Sequence, residues 1–460
     1  MFKIFIGLFL SSVFLFASTN NTNIETPDLT MTWLGMSSLL IFAIGYYFVA
    51  AEEKYSIDKA KPALFIGTFM FMLIAIYYAL NGLNLDLVNN EVNHLILEIS
   101  GIFFFLFVAM TYIESLIHMN VFDKLKYKLI TKGYTYRKLF WVTGFIAFFL
   151  SPIADNLTTA LILATVLITI ERKRKDFLVP GAINIVVAAN AGGAWSPFGD
   201  ITTLMAWTAG KGTFTDFMYL FPAAIIGYIV TAFLLSRFVP NTTPEVDLSK
   251  EIEPKMAEGS KIVMALGVIT IATAVISHQV LHLPAMWGMM FGLALLKVYS
   301  YKLKLTYGKD HFNIFNSISK IETNTLLFFF GILAAVGALY FIGWLALAAQ
   351  VYNPSVLGPT LSNIGVGFLS AIVDNIPVMS AVLKANPVMG LDQWMLVTLT
   401  AGIGGSMISF GSAAGVGVMG KLHGIYTFGS HMKYAWTIVI GYFVSIAVWY
   451  LQYEILGIVH

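Results

Sequence analysis

The sequence predicts an all-α polytopic membrane protein, organised as an inverted repeat with two re-entrant hairpins and two broken transmembrane helices. Three observations carry this. Of 460 residues, 58% are apolar and 11% charged, with a mean hydropathy of +0.79, whereas soluble chains run about 45–50% apolar and about 25% charged. The apolar residues fall in separate runs of about 20, the length that crosses a hydrocarbon core of about 30 Å. Of the 27 Lys and Arg residues, 24 lie in loops that a single threading of the chain puts on one side, the asymmetry expected of cytoplasmic loops. A cytosolic enzyme, a secreted scaffold and a nucleic-acid-binding domain are excluded. The net charge of +2 selects no partner by bulk charge, and the absence of Cys removes disulfides, thiolate metal sites and thiol nucleophiles.

Residues 1–18 resemble a cleavable signal peptide: Lys3, an apolar stretch from Ile4 to Phe16 that is too short to span, then small Ala17 and Ser18. The alternative is an uncleaved anchor; either way Thr19 onward starts outside. Spans follow at 32–51, 62–80 and 94–119. Phe140 to Ile170 is then 31 residues, about 46 Å as helix, too long for one span and too short for two. Arg137 and Lys138 precede it and Arg172, Lys173, Arg174 and Lys175 follow, so both ends belong on the cytoplasmic side. A re-entrant hairpin satisfies this, with its tip at Ser151-Pro152-Ile153-Ala154-Asp155-Asn156, where Pro152 and the Asp-Asn pair stop the helix. Spans at 178–208 and 217–236 complete a first half. The polar stretch 239–260 is a linker, 261–277 an additional span, and 283–299 the next. Residues 309–322, with His311, Lys320 and Glu322, read as an interfacial helix or a plain loop. After 324–347, Ser355 to Ala385 forms a second hairpin with both ends outside, and 393–419 and 435–457 close the chain. The product is a multi-pass protein of the inner (cytoplasmic) membrane, its N-terminus outside after signal cleavage, with a homodimer compatible.

The halves repeat. Residues 149–157 read FLSPIADNL and 368–376 read FLSAIVDNI; a second pair follows each, GGAWSPFGD at 192–200 and GGSMISFGS at 404–412. Two matches in the same order at similar offsets make the domain plan 62–236 and 283–457. The first hairpin opens inward and the second outward, so the repeat is inverted, an architecture typical of secondary transporters.

Asp155, Asp200 and Asp374 fall at membrane depth where the backbone is expected to break. An ionised side chain at the bilayer centre costs at least about 2.5–3.5 kcal/mol. The bland alternative is a helix cap, yet a neutral Ser or Asn caps as well, so the acids point to function. Asp200 has Ser412 as its repeat partner, which makes the site chemically lopsided. Neutral oxygens stand around them: Asn156, Thr158, Thr159, Asn190, Ser196, Thr202, Thr203, Asn375, Ser406, Ser409 and Ser412. A hard cation stripped of water needs several such oxygens, although any one Ser or Thr can instead back-bond to its own helix. Gly192, Gly193, Gly404, Gly405 and Gly411 permit sharp breaks or close helix packing. Glu98, near the outer end of 94–119, is a proton-relay candidate or an interfacial residue. Glu114 and His118, four apart near the cytoplasmic end, read as a snorkelling pair. His278 and His282 flank a short outer turn, a poor metal site.

The motifs FLSPIADNLTTAL, NIVVAANAGGAWSPFGDITTLMAW, FLSAIVDNIPV and GGSMISFGSAAGVGVMG resemble those of NhaD-type sodium/proton antiporters, within the arsenite-permease and ion transporter superfamily. The resemblance covers essentially everything after residue 30. It implies exchange of Na+ and Li+ for H+ without a cofactor, with Asp155, Asn156, Thr158, Asn190, Asp200, Thr202, Thr203, Asp374, Asn375 and Ser409 around the ion. Superfamily members that carry carboxylates place Ser-Asn-Thr at the hairpin tips; both tips here carry Asp-Asn, which argues for a cation. Competition of Na+ and H+ for the same carboxylates is the leading reading, with Na+ at Asp155, Asp200 and Asp374. An anion permease for arsenite or a carboxylate would bring its cargo against three negative charges with no Lys or Arg near. An intramembrane aspartyl protease could use Pro197-Phe198-Gly199-Asp200, but the first Gly of a GxGD motif is missing and the second hairpin would have no purpose.

Overall fold

The computed structural model describes residues 28–55, 57–244, 253–308 and 312–458. Among these, regular structure is helical throughout. In chain order the helices are α1 (Trp33–Ala50), α2 (Glu52–Tyr55), α3 (Ala60–Leu80), α4 (Leu85–His118), α5 (Val121–Thr131), α6 (Tyr136–Ala154), α7 (Asn156–Ile170), α8 (Lys175–Gly193), α9 (Ile201–Thr208), α10 (Phe214–Met218) and α11 (Phe221–Ser236). There follow α12 (Ser260–Gln279), α13 (Ala285–Tyr307), α14 (Ile314–Ile318), α15 (Thr323–Ile342), α16 (Trp344–Ala349), α17 (Gly358–Ile372), α18 (Asn375–Ala385), α19 (Leu391–Gly404), α20 (Ala413–Lys421), α21 (Phe428–Met432) and α22 (Ala435–Tyr450). Nine helical stretches among the described residues are long and apolar enough to cross a membrane, so the all-α polytopic class holds.

The chain divides into two compact units. The first takes residues up to Ser100 together with Thr323–Ser362 and Ser380–Met389. Its core is α3 against α15: Ile66, Met70, Ile74 and Tyr78 meet Ala335, Ala338 and Ile342. The two backbones touch at Gly67 and Gly331, where a Cβ on Gly67 would collide with the Gly331 carbonyl. Side chains that small let dispersion contacts form along the whole crossing.

The second unit takes Gly101–Glu322, Asn363–Met379 and Gly390 onward. Helix α8 is its axis: every residue from Phe177 to Gly193 is buried, and α6, α7, α11, α19 and α20 pack around it. Helix α11 crosses α22 through Gly227 and Gly441; a Cβ on either would stand 2.6 Å from the other's carbonyl oxygen. Helices α12 and α13 pair through Gly288 and Gly292, and Tyr112 of α4 joins them, donating to the Gly292 carbonyl at 2.8 Å and accepting from Thr270 at 2.8 Å.

Helix ends follow local chemistry. Thr135 caps α6 at Lys138 N–H, and matching boxes, Thr213 with Asp216 and Thr427 with Ser430, open α10 and α21. Residues 140–170 fall in α6 and α7, which meet at Asp155, so a helix break falls at the position expected for the tip. Helix α6 starts four residues early, making it about 28 Å long. The second break, at Val373 and Asp374, separates α17 from α18. The expected span 178–208 is α8 and α9 around an unwound 194–200, and 393–419 is α19 and α20 around 405–412.

Other boundaries move for identifiable reasons. Helix α4 begins at Leu85, nine residues before the expected 94, because the Asn84 side chain accepts from Asp86 N–H and starts the helix in a polar stretch. Span 283–299 continues as α13 to Tyr307. Span 324–347 divides at Gly343, whose φ of 109° ends α15. Among the described residues of 309–322, the five of α14 are helical, and His311 lies outside the described residues. The same holds for the expected signal peptide and for 245–252 of the linker. The described ends of that linker are anchored: Arg137 donates to the Val239 carbonyl, Tyr136 N–H to Thr242, and Lys124 pairs with Glu253.

Candidate functional site

The second unit brings the breaks at Asp155, Asp200, Asp374 and Ser412 into one polar cluster. Asp200 is its hub and is only 4% exposed. As the cap of α9 it accepts from Thr202 N–H at 3.1 Å. It also accepts from the side-chain amide of Asn156 at 3.2 Å and from that of Asn375 at 3.0 Å. Asn156 and Asn375, each following the Asp of a helix break, thus converge on one carboxylate. Asn156 shares its amide with Asn190 at 3.1 Å, and Asn190, wholly buried, donates to Ser406 at 2.8 Å and Ser412 at 2.9 Å. One continuous chain of polar contacts therefore runs from the first tip through α8 to the unwound 405–412 segment, and buried networks of this kind hold only when each member is partnered.

Asp155 ends α6 and caps α7 at once. Its carboxylate accepts from Thr158 N–H and from the Thr158 hydroxyl, both at 2.8 Å. Its backbone has φ 54° and ψ 164°, a region that is essentially glycine's and costs a side-chain-bearing residue about 1–3 kcal/mol. Asp374 is 7% exposed and accepts from Ile376 N–H at 3.4 Å. The three carboxylates lie close enough for the charges on Asp155 and Asp374 to act on Asp200. The bonds reaching Asp155 and Asp200 come from amides, a hydroxyl and backbone N–H groups, all neutral donors. Such a site holds negative charge ready for a cation and relieves it by taking one.

The remaining expected residues divide. The Thr203 hydroxyl donates to the Gly193 carbonyl at 3.2 Å and Ser196 holds the 194–200 backbone through Phe198 N–H, so both close the break. Thr202 is fully buried beside Asp200. Among the described residues, the Thr159, Thr202 and Ser409 hydroxyls are buried with no hydrogen-bond partner, which leaves three oxygens without a protein partner. Glu98 belongs to the first unit and pairs with Lys384 at 2.8 Å. The His118 ring packs on Phe312, and Glu114 has Lys320 and Glu322 as charged neighbours. His278 bonds the Trp207 carbonyl at 3.1 Å.

Two functional supports were missed in the sequence. Ser151 donates to the Ala189 carbonyl at 2.6 Å and Ser370 to the Ala401 carbonyl at 2.7 Å, each tying a hairpin arm to the broken helix behind it. Both occupy the third position of the repeated FLS motif, which was the available signal. The same correspondence recurs in the glycines: a Cβ on Gly192 would strike the Phe148 carbonyl, and one on Gly404 the Gly367 carbonyl.

Comparison with known proteins adds an independent line. A family model described as a citrate transporter matches residues 38–404. The Na(+)/H(+) antiporter NhaD of Vibrio cholerae is 42% identical over 446 residues, 92% of each chain. That of Vibrio parahaemolyticus is 45% identical over 408 residues, 84% of this chain and 97% of its own. Sodium/proton antiporter 1 of Arabidopsis thaliana is 31% identical over 418 residues, 86% of this chain and 69% of its own.

Proposed function

This chain belongs to the NhaD family of Na+/H+ antiporters, and on that premise we propose that Na+ and H+ compete for one site built on Asp155, Asp200 and Asp374. It is a multi-pass membrane transporter and not an enzyme. The observation that carries the proposal is the convergence of Asn156, Asn375 and Thr202 N–H on the Asp200 carboxylate. Three carboxylates crowded in a buried site resist simultaneous ionisation. A proton on one of them removes the charge that holds Na+, and Na+ displaces the proton, so the two cargoes exclude one another and exchange follows. Asn156, Thr158, Asn190, Asn375, Ser409 and Ser412 supply neutral oxygens, Thr202 serves beside Asp200, and Thr203 and Ser196 keep the break in shape. Li+, a similar hard cation, fits the same donors.

The architecture we propose is the inverted repeat, with 140–170 and 355–385 re-entrant from opposite faces. The paired bonds of Ser151 and Ser370 and the paired boxes of α10 and α21 support it. The chain would then sit in the inner membrane with its N-terminus outside, export sodium against entering protons, and so serve sodium and pH homeostasis. A citrate-like anion is disfavoured by the same three acids. Na+-dependent proton flux in proteoliposomes tests the reading: wild type should exchange, while Asp155→Asn and Asp374→Asn should fold and not exchange. Labelling of Lys173→Cys from outside sealed cells would sink the topology.

A further inference from the structure

The unwound segment 405–412 presents Ser406, Ser409 and Ser412 to the site, and a side chain from outside the segment grips its backbone. His431, on α21, is completely buried. Its Nε2 lies 3.1 Å from the Met407 carbonyl oxygen and its Nδ1 2.7 Å from the Tyr426 hydroxyl. A carbonyl can only accept, so Nε2 bears the proton. Burial drives the basicity of the ring down, to about 4, so the imidazole is neutral and Nδ1 is an acceptor. Tyr426, also wholly buried, then donates its O–H. One tautomer satisfies both contacts, and the box formed by Thr427 and Ser430 fixes the helix that carries the ring.

The other half lacks this device. Aligned on the capping boxes at Thr213 and Thr427, Phe217 stands where His431 does, and aligned on the Gly192-Gly193 and Gly404-Gly405 pairs, Trp195 stands where Met407 does. Phe217 is buried, and the Trp195 ring packs on Phe148 and Phe221. The first break is wedged by rings; the second is held at a carbonyl.

We infer that His431 is a positioning residue for the ion site: by fixing the Met407 carbonyl it sets Ser406 and Ser412 where Asn190 can reach both, and through Asn190 and Asn156 it steadies Asp200. The inference rests on the proposed reading of that cluster as the Na+ site. Met407 is one residue from Ser406, so a shift of its carbonyl is a shift of the Ser406 hydroxyl that Asn190 bonds at 2.8 Å.

The test is the apparent KM for Na+ in proteoliposome exchange, with the Na+ dependence of thermal unfolding as a second readout. His431→Phe copies the first half, keeping bulk and losing both bonds; it should raise KM about tenfold, the scale of one buried hydrogen bond, with the maximal rate within about twofold. His431→Gln can donate to Met407 and accept from Tyr426, and should return KM close to wild type. Tyr426→Phe keeps the ring bond to Met407 but frees Nδ1, and should fall between; it also carries the test if His431→Phe does not fold. Wild-type KM in folded His431→Phe or, failing that, in Tyr426→Phe overturns the inference, as does a His431→Gln protein as impaired as His431→Phe. A wild-type protein that neither exchanges nor responds to Na+ removes the site itself, and the inference with it.

Discussion

Asp200 caps α9 with φ −145° and ψ 144°, and Ser412 caps α20 with φ −147° and ψ 154°. The two breaks share a backbone and differ in chemistry. The hairpin tips do the reverse: both carry Asp-Asn, but Asp155 has φ 54° whereas Asp374 lies outside the positive-φ set. At the breaks a hydroxyl suffices to cap the helix, so the cap alone gives no reason for a carboxylate at Asp200, which is where the proposed ion site puts one. At Asp155 and Asp374 the side chain is the same and the strain is confined to one, which marks the α6–α7 break as the part held under tension.

The largest effect should come from erasing the chemical difference. Asp200→Ser should express and melt like wild type, because Ser412 shows that backbone capped by Ser, and should lose Na+-dependent proton flux or require far more Na+ to reach it. Adding Ser412→Asp to that variant should not restore flux if the amides of Asn156 and Asn375 are aimed at position 200. Restoration would show the two breaks to be interchangeable. The tips give the next effect. Asp155→Gly should abolish exchange and change the melting temperature little, since the roughly 1–3 kcal/mol of backbone strain that glycine releases offsets the lost cap on Thr158 and the added chain entropy. Asp374→Gly should lower it, having no strain to release and more chain entropy to lose. Equal shifts at both positions would erase the contrast.

Much of this was readable in the chain, and the limit is physical. Pro152 and Asp155-Asn156 announce a break by local chemistry, and the second copy at Asp374-Asn375 confirms the reading within the same sequence. That Asn156 and Asn375 meet at one carboxylate is a contact across 175 positions, and nothing local encodes it. His431 was invisible because a lone His carries no pattern; its role depends on Tyr426 and Met407 being folded around it. The early start of α4 hid in a stretch rich in Asn and Asp, which reads as loop until the Asn84 side chain is seen starting the helix. The pairing of Glu98 with Lys384 joins residues 286 positions apart.

Smaller effects sharpen the comparison. Asn190→Ala takes one donor from each of the Ser406 and Ser412 hydroxyls and should cost about 1–3 kcal/mol, read as a raised Na+ KM and a lower melting temperature together. Ser151→Ala and Ser370→Ala should each cost about 1 kcal/mol of stability and match one another, since they tie equivalent arms. The smallest effect concerns Glu171, at the base of the first hairpin. Burial pushes its carboxyl up, but bonds from Lys173 N–H, the Tyr136 hydroxyl and Arg172 N–H outweigh it and hold the carboxyl below its ordinary range. A depressed value means its contribution is present above the unfolded-state value and vanishes as pH falls through the folded one. Thermal melts of Glu171→Gln should therefore trail wild type at neutral pH and converge with it in acid.

The crossing of α11 and α22 has a consequence of another kind. Gly227 faces the Gly441 carbonyl and the Ser445 side chain, while Gly441 faces the Gly227 carbonyl and the Thr231 side chain. A surface that meets its own counterpart in this reciprocal way is isologous, the form every two-fold dimer interface must take. Two half-length chains inserted in opposite orientations would find the same contact, and joining them in one polypeptide makes the encounter intramolecular, at an effective concentration no separate pair can match. Joining also ends the constraint of identity: a change in one copy no longer appears twice. In the proposed repeat, Thr231 on one side and Ser445 on the other would be that freedom in use.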